Sequence, residues 1–185
     1  GKVSRQAEAA VRHVVQKQLE AGVAIGNDGE QPRIGFQTYV PQRMSGFGGE
    51  SKRPVPQDMR EFPDFVKMMQ RRELMRAKVF NAPQAIAEVK YEDLSDARTE
   101  CALAKRCMDA AAPQFTERFM TAASPGIICT TMLNAYYDTH ERYVLAVAEQ
   151  MRKEYEFIVS QGFVLQLDAP DLAMERTFLY QDNSL

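Results

Sequence analysis

The residues with most to offer chemically in this chain are carboxylates that follow short apolar runs. Asp28 and Glu30 flank Gly29 in GNDGE at 26–30, directly after Val23, Ala24 and Ile25. Asp168 closes FVLQLD at 163–168, and Gln166 stands two positions before it, on the same face of an extended segment. An ionised carboxylate in such a place has two chemical uses: it can transfer a proton, or accept charge-assisted hydrogen bonds from a cationic substrate group. Each also has a plainer use. Asp28-Gly29 is an ordinary turn signal, and Asp168 can cap its own backbone before Pro170 ends the strand. GNDGE is not a phosphate loop, because the glycine run and the lysine of such loops are missing.

Two similar units must position these carboxylates. Ala7, Val11, Val14, Val15, Gln18 and Leu19 recur at helical spacing and predict an amphipathic helix over 4–21, capped by Ser4 and ended by Gly22. A short buried strand at 23–25 is expected next. The second unit is a helix over 138–160, with Asp138 as N-cap and Glu141 completing a capping box. Its apolar stripe is Val144, Val147, Ala148, Met151, Tyr155, Ile158 and Val159; Gly162 ends it, and a central strand at 163–168 is expected. Helix, glycine, strand and acidic turn thus occur twice, which favours a (β/α) barrel over an α+β domain. Carboxylates at the C-terminal ends of parallel strands stand where such folds hold ligands, so Glu30 and Asp168 are expected at one end of the sheet, facing a common cavity.

Between these units, residues 31–63 read as one long irregular loop in which Arg33, Arg43, Arg53 and Arg60 alternate with Phe36, Tyr39 and Phe47. It reads as a lid or substrate wall, or as a plain surface loop or oligomer contact, with a short strand over 36–40, a loop at 45–49 and mobility over 42–56. Helical character over 63–78 includes an Arg71-Arg72 pair on a solvated face. A strand over 84–90 should bury Ile86 and Val89, and a helix over 95–110 should bury Cys101 and Cys107. A strand at 119–123 leads into the turn Ser124-Pro125-Gly126. Asn134, Tyr136 and Tyr137 supply an amide and two phenols that either line a pocket or close a helix end.

Composition narrows the classes. The chain has 185 residues and a net charge of -2, which suits one domain and gives no bulk electrostatic hold on nucleic acid. No stretch approaches the ~20 apolar residues of a membrane span, and the first residues lack a signal-peptide core. Three cysteines, Cys101, Cys107 and Cys129, show neither a paired framework nor metal-ligand spacing, so a reducing, cytoplasmic setting is expected.

Five runs together resemble the cobalamin-independent methionine synthase family, in particular its short single-barrel members. They are GNDGEQPR at 26–33, SGF at 45–47, ASPGII at 123–128, NAYY at 134–137 and FVLQLDAPDLAM at 163–174. The resemblance spans almost the whole chain. It implies an α/β fold of the (β/α)8 barrel type and transfer of a methyl group to a thiol. The donor would be a methylated folate or a similar compound, and the acceptor homocysteine or another thiol. Zinc would hold the acceptor as thiolate, the nucleophilic form. By the same resemblance, Glu30 and Asp168 flank the amino group of the amino-acid substrate, with Gln166 and Asp28 beside them. Arg33, Phe47, Ser124, Asn134 and Tyr136 would line the pocket.

The chain also departs from the pattern. Ala169 stands where the synthases carry glutamate, and no His-x-Cys pair occurs; the two histidines, His13 and His140, fall on expected helices. The family's zinc ligands lie on later strands. The chain therefore resembles the first half of a barrel, 1–185 as one partial domain without catalytic or metal residues of its own, expected to self-associate or to be completed by a second polypeptide. Two other readings stand beside methyl transfer. One is carboxylate acid–base chemistry on another small substrate; the other is a non-catalytic half-barrel serving as a binding or structural module.

Overall fold

The computed structural model describes residues 2–54, 56–71 and 82–183. Helix α1 (Lys2–Glu20) presents Val11 and Val15, one turn apart and almost wholly buried, to the core. Burying each contributes about 1.5–3 kcal/mol. Ser4 lies inside this helix rather than at its cap. Gly22 ends it at φ +76°: Val23 N donates to Gln18 O at 2.9 Å and Gly22 N to Leu19 O at 3.0 Å. That pair of bonds requires a left-handed residue, for which glycine carries no steric cost.

The remaining elements are β1 (Ile25–Gly26), α2 (Val40–Arg43), β2 (Met44–Gly48), α3 (Gln57–Glu61), α4 (Pro63–Arg71), β3 (Gln84–Tyr91), α5 (Ser95–Asp109), β4 (Glu117–Ala123), α6 (Pro125–Thr131), α7 (His140–Ser160), β5 (Val164–Asp168) and α8 (Asp171–Phe178). They form an α/β fold with a parallel sheet in the order β1-β4-β5, and a separate antiparallel ribbon of β2 and β3. The strand at the sheet's centre is β4, not the 163–168 segment, which lies at an edge. Ile25, expected to be buried, is 53% exposed, on a strand that pairs with β4 alone among the described residues.

Residues 45–49 are not a free loop. Most of them form β2, paired with β3, and the register shifts between Ser45 and Phe47. Gly46 sits at that irregularity with φ +94°, where a Cβ would stand 2.6 Å from the Glu88 carbonyl oxygen. Only glycine fits, so the residue that looked like loop punctuation is a bulge within a strand. Pairing also ties down part of 42–56. Residues 36–40 form no strand, and Ile86 lies exposed over Gly48 while Ala85 and Val89 are buried. Helix α4 accounts for 63–71; the rest of that expected helix, with Arg72, lies outside the described residues.

Helix α7 starts one residue later than expected. Thr139 is the N-cap, its hydroxyl accepting from Arg142 N at 3.1 Å, while Asp138 pairs with the Arg142 guanidinium at 2.8 Å. The buried stripe is Tyr143, Val147, Met151, Glu154, Phe157 and Ile158; Val159 is exposed. One apolar body packs Val11 and Val15 of α1, Ala104 and Met108 of α5, and Ile158 of α7 against Met120 and Ala122 of β4. A second joins Tyr39, Met44 and Val89 to Ile128, Tyr143, Val147 and Met151. Among the described residues, no helix is long and apolar enough to cross a membrane.

Candidate functional site

The parallel register decides what shares a face. Thr121 of β4 is level with Gln166 of β5, and Ala123 with Asp168. Laterally paired residues of neighbouring strands point to the same side of a sheet, as do residues two apart on one strand. Thr121, Gln166 and Asp168 therefore share one face. The other face carries Met120, Ala122, Phe163 and Leu165 and is packed by helices. Asp168 lies at the C-terminal end of β5, where Gln166 Nε2 donates to its Oδ1 at 3.0 Å.

Glu30 reaches the same face from the loop after β1. Thr121 Oγ1 donates to Glu30 Oε1 at 2.6 Å, and the Glu30 side chain stays one-quarter exposed. Its backbone is set by neighbours of the right type. Asn27 Oδ1 accepts from Gly29 N at 3.0 Å, and Asp28 Oδ1 from Glu30 N at 2.9 Å, giving two overlapping side-chain turns. Glu30 is the one non-glycine residue with positive φ among the described residues, at 55°. Gln18 of α1 anchors the start of this turn. Its amide accepts from Asn27 N at 3.0 Å and donates to Asn27 O at 2.9 Å.

Beneath Glu30 lies a buried ionic network. Arg33, its side chain 1% exposed, donates to Glu100 Oε1 at 2.6 Å, to Thr121 Oγ1 at 3.0 Å and to the Thr121 carbonyl at 2.8 Å. Arg43 donates to Glu100 Oε2 at 2.7 Å and lies 3.0 Å from Glu154 Oε2. Both guanidiniums lie 4.4 Å from the Tyr39 ring centre, and the Tyr39 hydroxyl donates to Glu154 at 2.7 Å. The Tyr91 hydroxyl donates to the same carboxylate. Burial works against the charge of Glu100, yet the Arg33 and Arg43 guanidiniums hold its carboxyl below the usual range. Asp28 fares differently. Burial, then the negative charge of Glu100, pushes it up to about 6, and its Oδ2 has no hydrogen-bond partner among the described residues.

Several expected pocket residues have other work. Arg33 is locked in ion pairs, and Phe47 packs against the hydrophobic core beside β3. Ser124 caps α6, accepting from Ile127 N at 3.2 Å, and donates to Asp171 Oδ1 at 3.0 Å. Asn134 closes its own turn with bonds to Tyr136 N, Tyr137 N and Tyr137 O, and lies beside β3 rather than the parallel sheet; Tyr136 is exposed. The structure thus brings Glu30, Gln166 and Asp168 to one face, with Asp28 and Arg33 below. It adds Thr121, Glu100 and Glu154, which sequence reasoning passed over, and Arg43, which it read only as part of a lid, wall or surface loop. A hydroxyl in the apolar run FMTAA, and glutamates on the apolar stripes of two helices, were the available signals.

The donor set of the described residues does not fit zinc. Among the described residues no three or more His, Cys, Asp or Glu side chains converge to hold a metal. Burial pushes the Cys101 thiol up to about 12 and raises those of Cys107 and Cys129, the opposite of what a thiolate ligand needs.

The chain matches no protein-family model, and no curated protein matches it. Among solved structures, it is similar to a B12-independent methionine synthase from Shewanella sp. W3-18-1 in complex with selenomethionine, with a TM-score of 0.62 and 21% identity over 92% of this chain. The likeness covers 44% of that protein's chain, so this chain spans less than half of its length. At that identity the likeness establishes the fold alone.

Proposed function

We propose that this chain forms the amino-acid-recognition part of a (β/α)8 barrel that moves a methyl group to a thiol. Glu30 and Asp168 would accept charge-assisted hydrogen bonds from the substrate ammonium, Gln166 would orient Asp168, and Asp28 would hold the Glu30 backbone. One observation carries the reading: two carboxylates, Glu30 from the loop after β1 and Asp168 at the end of β5, reach one face at the C-terminal end of a parallel sheet. Two acceptor groups around one cation are electrostatically sound. The fold likeness to a methionine synthase supports the reaction class. Homocysteine as acceptor and a methylated folate as donor are the finer form of the proposal. Zinc enters it only through residues outside this chain. So does closure of the barrel, by self-association or a second polypeptide.

The acid–base alternative has less behind it. The carboxyl whose proton affinity is raised toward neutrality is Asp28, and it is buried beneath Glu30 rather than presented at the sheet's end. Calorimetric titration with L-methionine and with its des-amino analogue tests the reading. L-methionine should bind more tightly, and Glu30→Gln or Asp168→Asn should each weaken it by about 10–100-fold, the worth of one hydrogen bond to a charged group. Equal affinity for the two compounds would overturn ammonium recognition.

A further inference from the structure

We propose that Thr121 is a positioning residue: its hydroxyl connects the buried Arg33–Glu100 pair to Glu30 and fixes which carboxylate oxygen is left for a ligand. This rests on the amino-acid-binding reading of Glu30. The direction of the connection follows from donor chemistry. A guanidinium has no acceptor, so at 3.0 Å the Thr121 hydroxyl must accept from Arg33 Nη1. Its single proton is then committed to Glu30 Oε1, at 2.6 Å. Arg33 cannot turn away, because Glu100 takes it at two nitrogens, at 2.6 and 3.3 Å, and the Thr121 carbonyl takes it at 2.8 Å. Arg33 Nη1 also approaches Glu30 Oε1, at 3.5 Å. Both contacts fall on the same oxygen, and Oε2 makes no hydrogen bond among the described residues.

The arrangement sets up a preorganised acceptor. Oε1 is held by the Thr121 hydroxyl and approached by Arg33, which leaves Oε2 as the oxygen free to accept from a ligand. A carboxylate already oriented loses less freedom on binding than one free to rotate. Thr121→Val leaves Arg33 its bonds to Glu100 and the Thr121 carbonyl but removes the acceptor of Nη1, so the crystal structure of the variant also checks that the guanidinium stays in place.

The test compares wild type, Thr121→Val and Thr121→Ser, with circular dichroism to establish folding and crystal structures of the first two. Titration uses L-methionine and its des-amino analogue. Thr121→Val should weaken L-methionine by roughly 10-fold and leave the analogue unchanged, and Thr121→Ser should restore affinity to within about 2-fold. A merely structural role would weaken both compounds alike. Unchanged L-methionine affinity in Thr121→Val overturns the proposal. If wild type does not distinguish the two compounds, the functional reading fails, and the crystal structures decide positioning alone. A Glu30 carboxylate displaced in Thr121→Val sustains it, and one unmoved overturns it. Should Thr121→Val not fold, Thr121→Ala replaces it in every arm.

Discussion

Asp28 is the residue at which burial, charge and local geometry conflict most plainly. Its Oδ1 serves the turn that carries Glu30, while its Oδ2 is buried without a partner among the described residues. The folded protein therefore holds a proton on Asp28 more tightly than the unfolded chain does, up to about 6 against an ordinary value near 4. The folded state then binds more protons between those limits, so this residue's contribution to stability is present at low pH and lost as pH rises through about 6. A separation of about two pH units is worth roughly 3 kcal/mol. Asp28→Asn keeps the acceptor for Glu30 N and removes the charge. It should stabilise the protein by ~1–2 kcal/mol at pH 8, since the new amide is itself left without a partner, and near pH 4 the gain should turn into a loss of about 1 kcal/mol. Urea denaturation of both proteins at the two pH values measures this; an equal difference at both would refute it. The Asp28-Gly29 turn was legible in the sequence, because turn chemistry is local. The conflict within it was not, because Glu100 is distant in the chain.

At the scale of elements, one glutamate ties three of them together. Glu154 of α7 is fully buried and accepts from Tyr39, just before α2, and from Tyr91 at the end of β3, while Arg43 of α2 pairs with it. Removing one member of a buried ionic set leaves the others uncompensated, which costs about 3–5 kcal/mol. Glu154→Ala should therefore lower the unfolding free energy by that amount, and Glu154→Gln by less, because an acceptor remains. A loss under ~1 kcal/mol for the alanine variant, measured by urea denaturation, would mean the network relaxes and carries little. The stripes of α1 and α7 were legible because helical periodicity is a property of the segment itself. Glu154 falls on that stripe, three residues after Met151 and four before Ile158, and Glu100 likewise lies between Ala97 and Ala104. Both were visible as charges on an apolar face. Their partners were not, because Arg33, Arg43 and Tyr39 come from a stretch with no periodicity. The ribbon of β2 and β3 was hidden for a related reason: Gly46 and Gly48 mimic a loop, while the pairing that makes them a strand is supplied from 84–91.

For the molecule as a whole, the decisive feature is which edges of the parallel sheet are covered. The repeated helix–glycine–strand unit made a parallel α/β fold legible, but strand order depends on long-range pairing, and the central place went to β4 rather than β5. Both outer strands therefore keep one side without a strand partner among the described residues. Their exposed apolar residues are Ile25 on β1, 53% exposed, with Val164 and Leu167 on β5, 49% and 46% exposed. Unpaired backbone groups beside apolar side chains are a template for another strand. Net charge is only -2, so repulsion between copies does little to oppose contact. The 21.0 kDa chain, prepared as it stands here, should therefore self-associate as its concentration rises, with light scattering after size exclusion giving masses above the monomer. Lysine at an edge is the device natural sheets use against such pairing. Ile25→Lys with Val164→Lys places one charge at each open edge, on side chains that are already half-exposed and hold up neither apolar core. The double variant should remain near monomer mass at concentrations where the parent does not, while its thermal midpoint stays within a few degrees. A parent that is monomeric throughout, or a variant that associates equally, would show that the sheet edges do not drive contact.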